Sequence, residues 1–288
     1  VETKDLIQKI HRLEIKTKGL TRQILSGEYH SAFKGRGMAF SEVRDYQFGD
    51  EVRTIDWNVT ARYNTPYVKV FEEERELTVM LVIDISGSEE FGTTEKTKKE
   101  LALEITAVLA FSAVANNDKV GALFISDKME RYIAPEKGKK HVLFILRELI
   151  EFKPKSKLTN LNEGLRFLRN TQKKRTISFV ISDFIDSNNF MEGMRLTKKR
   201  HDTIAIKISD NAEKTLPDVG LVQLFNAETG ETTWVNSSAK WVRETFTVNF
   251  KEEEYNTLFS FKKAGIDCVS CSTDQDIVKA LVKLFHQR

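Results

Sequence analysis

The sequence predicts an α/β protein: a doubly wound, mostly parallel sheet with a small irregular N-terminal α+β subdomain and a β-hairpin insertion. Three observations carry this. Short apolar runs rich in β-branched residues recur from Leu77 onward: LTVMLVIDIS, KVGALFIS, TISFVISDF, TIAIKIS and IDCVSCS. Helical periodicity fills the gaps between them. The runs are apolar throughout rather than alternating, as expected of parallel strands covered on both faces.

Taken in order, residues 1–76 differ in kind from the rest. KDLIQKIHRLEI reads as an amphipathic helix with Leu6, Ile7, Ile10 and Leu13 on one side. A stretch rich in Gly, Arg, Asp and aromatics follows, and TPYVKVFEEERELTVML suggests a strand running up to the first sheet strand. Residues 77–288 form the α/β domain. Its first helix spans KTKKELALEITAVLAFSAVANN, with Leu101, Ile105, Val108, Leu109 and Ser112 aligned. HVLFILRELIEF, LNEGLRFLRNTQ, FMEGMRLTKKR and DIVKALVKLFHQR supply further helices. VGLVQLFNAETGETTWVN alternates on either side of Glu228-Thr229-Gly230-Glu231, which predicts a hairpin. KEEEYNTLFSFKKAG is then a helix closed by Gly265.

Composition excludes several function classes. The 45 basic and 42 acidic residues nearly balance, so charge offers no argument for nucleic acid or an anionic membrane. KGKKH at Lys137–His141 and TKKRHD at Thr197–Asp202 are short basic patches that read as solvated helix ends. LTVMLVI and ITAVLAFSAVA are too short to cross a bilayer. No basic-then-apolar leader opens the chain, so a cytoplasmic protein is expected. Cys268 and Cys271 have metal-site spacing, but on a strand they face opposite sides, so they read as buried small hydrophobes. The five histidines are scattered, and no phosphate loop, GxGxxG, HExxH or G-x-S-x-G pattern occurs. KGRG at Lys34–Gly37 reads as a tight turn.

The chemistry concentrates where the first sheet strand ends, in DISGS. Ligands bind parallel sheets at the carboxyl ends of strands. Asp84 belongs at such an end, and Ser86 and Ser88 alternate beyond it, so three hard oxygens converge. Hard oxygens suit Mg²⁺. TISFVISDF ends similarly on Asp183, and Thr159 precedes the helix beginning near Asn162. Each hydroxyl alone is explained by helix capping or turn formation. The combination of Asp84, Ser86, Ser88, Thr159 and Asp183 is not.

DISGS, LTNLNEGL and ISDF together resemble the metal-ion-dependent adhesion site of von Willebrand factor A domains. The resemblance assigns Asp84, Ser86, Ser88, Thr159 and Asp183 to a metal site holding Mg²⁺, or Mn²⁺ or Ca²⁺ in its place. The preceding segment is similar to the signature of the bacterial family called domain of unknown function 58. The matching positions are Arg44, Asp45, Tyr46, Gly49, Asp50, Arg53, Ile55, Asp56, Trp57, Ala61 and Arg62. Members often accompany MoxR-type AAA+ ATPases and are thought to help them act on client proteins. The resemblance therefore implies a metal-dependent protein-interaction adaptor rather than an enzyme.

The alternative is a metal-dependent hydrolase using the same oxygens, with Glu89, Glu90 and Asp186 as acidic neighbours. Haloacid-dehalogenase-type chemistry is disfavoured because Ser86 stands where a second aspartate would be needed. In the N-terminal segment, Arg44, Arg53, Arg62, Asp45, Asp50 and Asp56 are expected to form an ion-pair network, with Trp57 as a large anchor. The other reading of that segment is a docking surface for a partner ATPase. EEERE at Glu72–Glu76 is expected at a strand edge or on a charged face.

Overall fold

The computed structural model describes residues 39–72, 76–91, 96–186, 188–225 and 230–288. The helix expected from KDLIQKIHRLEI, the KGRG turn and most of EEERE lie outside these residues. Two compact units are present, one within Phe33–Leu77 and the other containing Thr78–Arg288.

In the smaller unit, β1 (Ala39–Asp45) pairs antiparallel with β2 (Tyr67–Glu72). Between them lies α1 (Trp57–Tyr63). Asp56 starts this helix by accepting from the backbone N–H groups of Asn58 and Val59 at 3.0 and 3.3 Å. Asn64, at φ 56°, ends it in the left-handed conformation that asparagine tolerates. The expected ion-pair network reduces to a few contacts. Arg44 grips Asp50 through two nitrogens at 2.7 and 2.8 Å, while Lys69 lies 3.5 Å from Asp56. Arg53 and Arg62 are exposed, and so is Trp57, at 67%. The tryptophan opens α1 and is turned toward solvent rather than serving as an anchor.

The larger unit is built on six strands: β3 (Thr78–Asp84), β4 (Lys119–Ile125), β5 (Met129–Glu136), β6 (Ile177–Ser182), β7 (Asp202–Ser209) and β10 (Asp267–Ser272). Their order is β10-β7-β6-β3-β4-β5, parallel except for β5. The five apolar runs of the sequence are the five parallel strands. β5 was not anticipated, because MERYIAPE is half-exposed and lacks a continuous apolar run. It closes the β4 edge, where a strand needs only one apolar face.

Helices cover both sheet faces. α2 (Lys98–Ala115) opens on a capping box of Thr97 and Glu100 and lies against β3, β4 and β7. It also meets α3 (Lys139–Glu151), so its burial extends beyond the expected stripe to Thr106, Ala107, Ala110 and Ala113. On the other face, Met80 and Val82 of β3 pack with Leu161, Leu165 and Leu168 of α4 (Leu161–Thr171). Met194 of α5 (Phe190–Arg200) and Phe261 of α6 (Lys240–Lys263) complete that core. α7 (Ile277–His286) packs on β10.

Gly164 allows α4 to lie close on β4, since a Cβ there would fall 2.4 Å from Ile125 Cγ2. The expected hairpin forms as β8 (Leu221–Phe225) and β9 (Thr232–Asn236), with turn residues 226–229 outside the described chain. α6 starts eleven residues before the expected helix, at Lys240 rather than Lys251, and Gly265 follows it at φ 66°.

Candidate metal centre

β3 and β6 are neighbours, with Ile83 opposite Ile181, so their carboxyl ends reach the same rim. Asp84 and Asp183 therefore end up close together, each only 1% exposed. The chain turns immediately beyond Asp84. The Ser86 backbone N–H donates to Asp84 Oδ1 at 3.0 Å, and Ser86 itself stays extended. A short 3-10 turn over Gly87–Glu90 then brings Ser88 Oγ to 3.2 Å from Ser86 Oγ. The expected convergence of Asp84, Ser86 and Ser88 is present, through one extended residue and one turn.

Thr159 lies on another loop, two residues beyond the point where that loop meets the turn after Asp84. The Gly87 N–H donates to the Lys157 carbonyl at 2.9 Å, which lays the Ser86–Ser88 loop beside the segment before α4. Thr159 is 5% exposed, and its carbonyl accepts from Asn188 Nδ2 at 3.2 Å. The helix it precedes begins at Leu161, one residue before the expected start.

Three further side chains complete the site. Ser182 Oγ donates to Asp84 Oδ2 at 2.7 Å and accepts from the Phe184 N–H at 2.9 Å. Lys98, the first residue of α2, is fully buried, with Nζ 2.8 Å from Asp183 Oδ2 and 2.7 Å from Glu213 Oε1. Lys207 Nζ donates to the Asp183 carbonyl. A lysine in this run of lysines, or a serine at a strand end, carries no sequence signal that would single it out.

Asp186 has a structural role. Its Oδ2 accepts from the Leu161 N–H at 2.9 Å, capping α4, and its Oδ1 accepts from Asn188.

Burial raises the Asp84 carboxyl to about 7, and the Asp183 carboxylate beside it pushes the same way. The hydrogen bonds from Ser182 and Ser86 offset this only in part. A cation at this rim would relieve that repulsion. The donors at the rim are two carboxylates, each oxygen of which already accepts a hydrogen bond, and neighbouring hydroxyls; their chemical class, hard oxygen, is the one Mg²⁺ takes. Among the described residues no three His, Cys, Asp or Glu side chains gather as a metal site, at this rim or elsewhere, so any ion here would rest on the two carboxylates and on hydroxyls.

Fold and site define a mixed α/β protein whose mostly parallel six-stranded sheet carries a carboxylate and hydroxyl rim at its strand ends. Residues 42–256 match the family described as protein of unknown function DUF58, and the chain belongs to that family. Uncharacterized protein Mb1516 of Mycobacterium bovis is 29% identical over 290 residues, spanning all of this chain and 91% of that protein. Uncharacterized protein YeaD of Bacillus subtilis is 31% identical over 110 residues, 38% of this chain and 25% of YeaD. Among solved structures, the conserved hypothetical protein BatB from Bacteroides thetaiotaomicron aligns at a TM-score of 0.49 and 14% identity, covering 73% of this chain and 98% of BatB.

Proposed function

We propose that this protein is a metal-gated protein-interaction module of the von Willebrand A type, acting as an adaptor for a MoxR-type AAA+ ATPase. The observation that carries the reading is the convergence at one rim of Asp84, Ser86 and Ser88, with Asp183 joined through Ser182. In this reading Asp84, Ser86, Ser88, Thr159 and Asp183 hold the ion. Mg²⁺, when bound, supplies charge neutralisation and an exchangeable position for a partner's carboxylate.

The chain's own residues do the positioning. Ser182 orients Asp84, and the Gly87–Lys157 bond ties the two hydroxyl loops together. Binding a partner carboxylate needs no proton transfer, and the acidic neighbour Asp186 is occupied as a helix cap. The smaller unit offers exposed Trp57, Phe48 and Tyr63 alongside the Arg44–Asp50 pair, which favours the reading of that segment as a partner-facing surface.

The test is capture of partner proteins from bacterial lysate by the full chain, with Mg²⁺ or with EDTA, read by mass spectrometry. Capture of a MoxR-type ATPase that is lost with EDTA and in Asp84→Ala is expected. Capture indifferent to both would sink the proposal.

A further inference from the structure

Lys98 opens α2, the end of a helix where a positive charge is disfavoured, and it is fully buried. A buried ammonium requires close anionic partners, and Lys98 has Asp183 Oδ2 at 2.8 Å and Glu213 Oε1 at 2.7 Å. Both Asp183 oxygens are engaged, since Oδ1 accepts from the Ile185 N–H at 3.0 Å. Glu213 is itself held in place, its Oε2 accepting from the Asp210 N–H at 3.0 Å. Asp210 in turn accepts from Thr273 Oγ1 at 2.7 Å. The ammonium is therefore fixed by a rigid polar frame. Asp84, by contrast, takes its side-chain partner from neutral Ser182.

We infer that Lys98 is a built-in cation that competes with the metal for Asp183 and so keeps the metal site weak. The inference rests on the metal-site reading above. Its physical basis is charge. An ammonium in contact with a ligand carboxylate repels a divalent ion nearby, and in a buried setting that repulsion is poorly screened. Glu213 moderates the effect because it shares the Lys98 charge. Lys98 is thus a positioning residue: it acts on the ion through Asp183.

The experiment is a Mn²⁺ titration of the full chain by calorimetry and by electron paramagnetic resonance, for wild type, Lys98→Met and Glu213→Gln. Circular dichroism checks the fold of each. Lys98→Met is expected to bind Mn²⁺ at least about tenfold more tightly. Glu213→Gln leaves the ammonium with one anionic partner fewer and is expected to bind several-fold more weakly. Folded Lys98→Met with wild-type or weaker affinity overturns the inference and leaves the metal site standing. If Lys98→Met does not fold, Glu213→Gln decides, and unchanged affinity there overturns it. Absence of Mn²⁺ binding in all three proteins sinks the metal-site reading, and the role of Lys98 falls with it.

Discussion

Ser182 Oγ lies 2.7 Å from Asp84 Oδ2, joining the ends of two adjacent strands whose residues stand 98 apart in sequence. The same hydroxyl accepts from the Phe184 N–H, so one serine orients the carboxylate and pins the loop that carries Asp183. Ser182→Ala removes both contacts inside a buried site. A loss of about 1–3 kcal/mol in stability is expected, because a buried acceptor and a buried donor lose their partner. Denaturant unfolding with and without Mg²⁺ checks this. Stability unchanged from wild type would refute it, and under the proposed metal-site reading any stabilisation by Mg²⁺ should shrink in the variant.

Gly164 is a second sensitive point. An added Cβ would sit 2.4 Å from Ile125 Cγ2, forcing α4 away from β4. Gly164→Ala should destabilise by about 1–3 kcal/mol through overpacking. Under the proposed metal-site reading it should also weaken Mg²⁺ binding, since Thr159 precedes that helix. A variant that unfolds at the wild-type denaturant midpoint would contradict the packing described.

His201 sets a pH dependence away from the rim. Its Nδ1 accepts from the Thr176 N–H at 3.3 Å, which places the proton of the neutral ring on Nε2. Burial lowers its pKa to about 4, with the charges of Arg200, Arg169 and Arg175 acting in the same direction. The folded value lies below the ordinary histidine value, so the unfolded chain takes up the proton first. The stabilising contribution is present above about 6.5 and is lost as pH falls toward 4. Urea unfolding at pH 7.5 and pH 5 should show a fall in stability that is smaller in His201→Gln. Equal falls in both proteins would remove His201 from the account.

The two cysteines should be inert in the native state. Cys271 is buried, as expected, whereas Cys268 is only partly buried; they sit on opposite faces of β10, and both thiols are pushed up to about 12, chiefly by burial. Ellman's reagent at pH 8 is expected to label neither thiol before unfolding and both afterwards. Rapid labelling of the native protein would show that β10 opens readily.

Much of the fold was legible in the chain. Strands buried on both faces are mostly apolar, so β3, β4, β6 and β7 announce themselves despite buried Ser178 and Lys207, and Asp84 at the end of β3 and Asp183 just beyond β6 mark the rim. β5 was hidden because an edge strand covered on one side needs no such run. Trp57 misled for a related reason. Its size suggests burial, but its place at the first position of α1 leaves it exposed.

The sequence by itself determined the α/β alternation and the strand ends that carry Asp84 and Asp183, because strand burial is a local property read along the chain; Ser86, Ser88 and Thr159 were added to them by family resemblance. Only the tertiary structure decided what surrounds those residues. Lys98 and Asp183 are 85 residues apart and Lys98 and Glu213 are 115 apart, yet both contacts are under 3 Å. Nothing local separates Lys98 from its lysine neighbours. Burial does, because a charge removed from water must find its counter-charges wherever the fold supplies them.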